Sequence, residues 1–147
     1  MTIRKILVAH DFSEAADRAL RFAADLARQT GAQLELAYVH PELSDGQGDL
    51  SVLLPPDLPD GEARYVHFLQ QELEGVARKV ADQVPGPIPC HVVRGDPVLR
   101  LEALVEQVGA DSVCLGVTGK GAVQQVLLGS VSQLMLRRST VPVLLVP

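Results

Sequence analysis

Tryptophan is missing from this chain of 147 residues, and aromatic residues together make up only 3% of it. A core without large rings has to be filled by Val, Leu, Ile and Ala, and the hydrophobic fraction of 47% supplies them. That is the usual filling of a parallel sheet covered by helices. Long apolar runs are missing too. None approaches the roughly 18 residues needed to span a bilayer, and His10-Asp11 cuts the opening Met1 to Ala9 short of a signal-peptide core; a cytoplasmic protein with no membrane role is expected. Lys and Arg number 13 against 18 Asp and Glu, a net charge of −5, which argues against nucleic acid as a main partner. The two cysteines, Cys90 and Cys114, lie far apart and form no C-x-x-C pair. Cys114, inside an apolar run, reads as a small packing residue rather than a redox group.

What is present is a regular alternation. Ile3 to Ala9 is an apolar run of strand length. Asp11-Phe12-Ser13 supplies helix-start residues, Ala16, Ala19, Leu20, Ala23, Leu26 and Ala27 recur at helical spacing, and Gly31 ends that helix. Leu34 to Val39 is a second strand. Residues Pro41 to Gly61 carry four prolines and no lasting periodicity, and are expected to form a long flexible loop. A second helix is marked by Val66, Leu69, Leu73, Val76, Ala77, Val80 and Val84 and stopped by Pro85-Gly86-Pro87. His91-Val92-Val93 centres a third strand. Asp96 and Pro97 open a third helix, with Leu101, Leu104, Val105 and Val108 on its buried side and Gly109 at its end. Val113 to Gly116, Ser130 to Arg138 and Val141 to Val146 complete the chain as strand, helix and strand. The length fits one domain, residues 1–147, and the alternation predicts an open parallel sheet with helices on both faces, a Rossmann-like α/β fold.

The stretch with most chemical content is Gly116-Val117-Thr118-Gly119, followed by nine residues and then Gly129-Ser130. It leaves a buried strand and opens a helix. Glycines let backbone N–H groups turn toward a ligand, and a helix start adds unsatisfied donors and partial positive charge, so this is a natural anion site. Lys120 is followed by Gly121 rather than Ser or Thr, so it is not a P-loop, and no G-x-G-x-x-G is present. Asp11, directly after the first strand, has two readings that are compatible: a cap of the first helix with Glu14 in a capping box, or a ligand contact. His10, His40, His67 and His91 show no H-x-x-x-H spacing, so no metal ligand is assigned. No Ser stands in G-x-S-x-G, and no catalytic residue is assigned.

The spacing G-x2-G-x9-G-[ST] resembles the ATP-binding loop of the universal stress protein family. Ile6-Leu7-Val8-Ala9-His10-Asp11-Phe12-Ser13-Glu14, Val39, Gly95-Asp96-Pro97, Gly129-Ser130-Val131-Ser132 and Thr140-Val141-Pro142-Val143-Leu144-Leu145-Val146 extend the resemblance over essentially the whole chain. Val117-Thr118 departs from it, since polar or basic residues are frequent there. The resemblance implies strand order 3-2-1-4-5, which puts Asp11 and the glycine loop at one crevice. It further implies an ATP site at Ala9, His10, Asp11, Val39, Leu115, Gly116, Gly119, Gly129, Ser130, Val131 and Ser132. In that site Asp11 and Val39 hold base and ribose, Gly116, Gly119, Gly129 and Ser130 hold ribose and phosphates, and Mg²⁺ is shared by the phosphates. A nucleotide-dependent regulatory or stress-response protein is implied, at most a slow ATPase because no base is evident, acting on a protein partner not identified by the sequence. The last strand, Val141 to Val146, is implied to pair with its counterpart in a homodimer. The alternative is a dimeric interaction protein of the same fold that binds no nucleotide.

Overall fold

A computed structural model describes residues 2–40, 61–117 and 128–147. The long loop expected at 41–61 therefore lies outside the described residues, apart from Gly61. Five strands, β1 (Lys5–Ala9), β2 (Gln33–His40), β3 (Cys90–Arg94), β4 (Ser112–Gly116) and β5 (Val143–Val146), form one parallel sheet in the order β3-β2-β1-β4-β5. Among the described residues four α-helices, α1 (Glu14–Thr30), α2 (Gly61–Arg78), α3 (Pro97–Val108) and α4 (Ser130–Arg138), lie between them.

Strand alternation divides the core in two. Ile6, Val8, Leu34, Leu36 and Cys114 face one way and pack with Ala19, Leu20 and Ala23 of α1 and Leu73 and Val76 of α2. Leu7, Ala37, Val113 and Leu115 face the other way and pack with Leu101, Leu104 and Val105 of α3 and Met135 of α4. Successive side chains of a strand point to opposite faces, so apolar runs such as Ile6-Leu7-Val8 are required wherever both faces are covered. The Cys114 thiol lies inside the α1 side at 0% exposure, and burial raises its pKa to about 12. A thiol held protonated in this way is a packing group and not a nucleophile.

Helix ends follow local chemistry where a side chain supplies the cap. Asp96 accepts the Leu99 N–H at 3.0 Å, Pro97 takes the first helical position, and Gly109 closes α3 at φ 67°. The second helix ends earlier than its apolar spacing predicts. α2 stops at Arg78, the N–H groups of Lys79 and Val80 bond back to Val76 and Ala77, and a 3₁₀ turn follows at Ala81–Gln83. Val80 and Val84 remain buried, so the periodicity identified core residues correctly while the backbone tightened beneath them. The last strand begins at Val143 rather than Val141, because Ser139 Oγ accepts the Val141 N–H and donates to its carbonyl, turning the chain.

Two buried polar groups differ in how they are compensated. Glu35 is 7% exposed, but its carboxylate meets Lys5 Nζ at 3.1 Å and His91 Nε2 at 2.6 Å. Ser112 is fully buried, and its hydroxyl has no hydrogen-bond partner among the described residues. An orphan hydroxyl carries its desolvation cost uncompensated, so Ser112→Ala is expected to raise stability by about 1 kcal/mol in denaturant unfolding. A loss of stability would mean that the hydroxyl has a partner.

Candidate functional site

The carboxyl ends of β1 and β4 stand side by side, with Val8 opposite Cys114, and each strand hands over to a turn that leads into a helix. Between these neighbours the winding of the sheet reverses, which is where open α/β sheets form a ligand crevice. Asp11 and the start of the glycine loop therefore share one end of the sheet.

On the β1 side, the His10 N–H donates to the Ala37 carbonyl at 2.8 Å and prolongs the ladder with β2 by one residue. Phe12 then adopts φ 65°, the one non-glycine residue with positive φ among those described. Such a conformation costs on the order of 1–3 kcal/mol and has to be held in place by its surroundings. Three contacts hold it. Its N–H donates to His10 Nδ1 at 3.0 Å, and its ring meets the edges of His10 and Tyr38 at centroid distances of 5.5 and 4.9 Å. This left-handed residue corrects the expected capping box. Because Phe12 adds a reversed step to the chain, α1 starts at Glu14, and its cap is Ser13, whose Oγ accepts the Ala16 N–H. The Asp11 carboxylate instead accepts the Ser13 N–H at 3.0 Å, an Asx turn just beyond the carboxyl end of β1.

On the β4 side, Gly116 has no room for a side chain. An added Cβ would lie 2.8 Å from both the backbone carbon and Cβ of Ala15 and 2.9 Å from its oxygen. α1 can come that close because it presents alanines, Ala15, Ala16, Ala19 and Ala23, to the sheet. The same approach seats the first turn of α1, which follows the Asp11 turn, against the end of β4. Beyond Gly116, the Val117 N–H donates to Val146, and the Gly129 N–H donates to the Val117 carbonyl at 2.8 Å, so the two ends of the loop meet. Gly119 and Thr118 lie outside the described residues. Ser132 Oγ donates to the Gly116 carbonyl at 2.9 Å and ties the first turn of α4 to the end of β4.

The helix start at Gly129 differs from the other two whose caps are described. Ser13 and Asp96 cap α1 and α3 with side-chain oxygens, whereas Gly129 offers α4 none. Ser130 is exposed and Val131 half-buried, so the uncapped turn opens to solvent. The first N–H groups of a helix have no intrahelical acceptor, and with no side-chain cap they favour an anion.

The remaining expected residues divide by orientation. Ala9 and Val39 are half-buried at the ends of β1 and β2, while the Leu115 side chain is buried in the α3 side of the core. Val39 stands two residues past Ala37, the partner of Ala9, and so at the same end of the sheet as Asp11. The His10 ring turns inward and is 3% exposed. Phe12 was expected only as a helix-start residue, yet two of the chain's five Phe and Tyr residues, Phe12 and Tyr38, meet at this one turn. Among the described residues, no group of three or more His, Cys, Asp or Glu could hold a metal ion, and no helix is long and apolar enough to cross a membrane.

The universal stress protein family model matches residues 2–147. Universal stress protein MJ0577 of Methanocaldococcus jannaschii is 27% identical over 97% of this chain and 94% of its own length. Its solved structure superposes with a TM-score of 0.80 at 25% identity, covering 99% of this chain and 96% of that one. A universal stress protein solved in complex with cAMP is 25% identical with a TM-score of 0.68, over 100% of this chain and 99% of that one. One from Archaeoglobus fulgidus, in complex with dAMP, shares the fold with a TM-score of 0.61 at 23% identity, each chain covering the whole of the other.

Proposed function

The chain belongs to the universal stress protein family, and from that premise we propose that it binds an adenine nucleotide, ATP with Mg²⁺ on its phosphates, in the crevice between β1 and β4. The observation that carries this reading is the uncapped start of α4 at Gly129, at the same end of the sheet as the Asp11 turn. An anion there would take up donors that Ser13 and Asp96 satisfy in the other helices. Asp11, a like charge, would repel phosphate and suits the hydroxyls and N–H donors of a nucleoside instead. Val39, Gly116, Ser130, Val131 and, outside the described residues, Gly119 complete the proposed site. Relatives of the same fold solved with cAMP and dAMP support an adenine ligand. Micromolar affinity, about 7–8 kcal/mol, is expected from loop donors and base burial.

The role we assign is regulatory: nucleotide occupancy alters binding to a partner protein, and hydrolysis is slow. Asp11 is engaged with the Ser13 N–H and His10 with Phe12 and Asp17, so neither is placed as a base for water. The test is the small-molecule content of purified protein. Denaturation followed by chromatography and mass spectrometry should release an adenine nucleotide in stoichiometric amount, or in exchange for added ATP. Protein that arrives empty and remains empty with millimolar ATP would instead be an interaction protein of this fold.

A homodimer through β5 is part of the proposal. β5 is an edge strand, and the Val113 and Val117 N–H groups donate to Pro142 and Val146. Alternation then turns the backbone groups of Val143 and Leu145 outward, where a second copy can pair with them about a two-fold axis. Pro142, with no N–H to give, sits just before the strand. Light scattering at tens of micromolar is expected to report a dimer. Val143→Pro, which removes an outward donor and leaves the β4 ladder intact, should shift it toward monomer. A wild-type monomer under those conditions contradicts the assignment.

A further inference from the structure

The imidazole beneath the Asp11 turn has one arrangement of its proton. His10 Nδ1 accepts the Phe12 backbone N–H at 3.0 Å, and its Nε2 lies 2.9 Å from Asp17 Oδ1. A backbone N–H only donates, so Nδ1 must keep its lone pair. Nε2 then carries the ring proton and donates it to the Asp17 carboxylate. Both ring nitrogens are used, the ring is 3% exposed, and its edge packs on Phe12. A second proton would have to go on Nδ1. That would turn the Phe12 N–H contact into a clash of two donors.

We propose that His10, as the neutral Nε2-protonated imidazole, is the positioning residue of the crevice: it holds Phe12 in its left-handed conformation and so fixes the direction of Asp11. The chain of contacts is short. His10 Nδ1 holds Phe12, Phe12 sets the turn, and the turn allows Asp11 to accept the Ser13 N–H. The inference rests on the nucleotide reading for its effect on affinity, but its effect on the turn stands independently of any ligand. It makes the site sensitive to acid through a group that need not touch the nucleotide.

Among the described residues, the charged and titratable groups around His10 come from four places. Asp17 faces it from α1, Asp11 from its own turn, Lys79 from just beyond α2, and Tyr38 from β2 across the Phe12 ring. Burial pushes the imidazole below its ordinary 6.5 and outweighs the upward pull of Asp17 and Asp11, while Lys79 adds to the lowering. With the folded value depressed, the unfolded chain takes up the proton first as pH falls. The contribution of His10 is therefore complete above pH 6.5 and is lost as pH falls from 6.5 through the lowered folded value. Turn order and affinity follow the titration of the folded protein and weaken below 6.5.

The test uses the full chain and two readouts. The first is the hydrogen-exchange protection of the Phe12 amide by NMR without ligand; the second is adenosine affinity by calorimetry, since adenosine has no phosphate to titrate. His10→Leu is expected to lower both about tenfold at pH 8, the worth of one hydrogen bond of about 1.4 kcal/mol. His10→Asn should rescue both, because its side-chain oxygen accepts the Phe12 N–H, and its profile should stay flat as pH falls below 6.5, where wild type declines. If His10→Leu does not fold, the contrast between wild type and His10→Asn on acidification decides the matter. A Phe12 amide equally protected in wild type and His10→Leu, or a wild-type profile identical to that of His10→Asn, overturns the proposal. Absence of adenosine binding at pH 8 with the amide behaving as described would refute the nucleotide reading and leave the positioning role standing.

Discussion

Gly116→Ala is expected to lower stability by about 1–3 kcal/mol and, with it, the melting temperature by roughly 2–4 °C per kcal/mol. The new Cβ would stand under 3 Å from main-chain atoms of Ala15, in the first turn of a helix seated on the sheet. No flexible side chain is available to move aside. α1 must tilt away from β4, and the alanines that let it lie close, Ala19, Ala23 and Ala27 among them, lose contact with the strands. The displacement also reaches the Asp11 turn, because Ser13 and Asp11 lead directly into that helix. A fall in adenosine affinity is therefore expected in the fraction that remains folded. Thermal unfolding checks the first effect and calorimetry the second. An unchanged melting temperature would mean that α1 does not sit against the exit of β4.

Asp11→Ala is expected to weaken adenosine and ATP by the same factor, about 10- to 100-fold, as befits the loss of a hydrogen bond to a charged group worth about 1.5–3 kcal/mol. Two contributions combine in that number. The carboxylate would no longer accept from the nucleoside, and the Asx turn made by Oδ1 with the Ser13 N–H would be lost. Neither involves phosphate, so the triphosphate should gain nothing over the nucleoside in the comparison. Parallel titrations of wild type and variant with adenosine and with ATP provide the check. A loss confined to ATP would place the carboxylate on Mg²⁺ instead of on the nucleoside.

The order of elements was legible because strands buried on both faces and helices with one buried stripe leave different periods in the sequence. α3 was legible to its ends, since Asp96, Pro97 and Gly109 act on their own neighbours. Strand order was not present in any period and came with the family resemblance; the sheet follows that order. At the crevice, what escaped sequence reasoning was non-local. Phe12 has no intrinsic reason to adopt a left-handed conformation, and it is His10 and Tyr38, brought together by the fold, that hold it. That one residue moved the helix cap from Asp11 to Ser13. Gly116 read as loop chemistry, yet the space its side chain would need is filled by a helix a hundred residues away in sequence. Ser132 was placed among the ligand residues, and its hydroxyl is bonded to the Gly116 carbonyl. A glycine or serine beside a binding loop looks the same in sequence whether it serves a ligand or the scaffold that shapes the loop.

An adenine nucleotide is expected to occupy the crevice at the exits of β1 and β4. Isothermal titration of the full chain, freed of any co-purified nucleotide, with ATP in the presence of Mg²⁺ tests this most directly. The prediction is saturable one-to-one binding per chain with a micromolar Kd that weakens markedly in Asp11→Ala. No heat of binding up to millimolar ATP, or binding that Asp11→Ala leaves untouched, would contradict it.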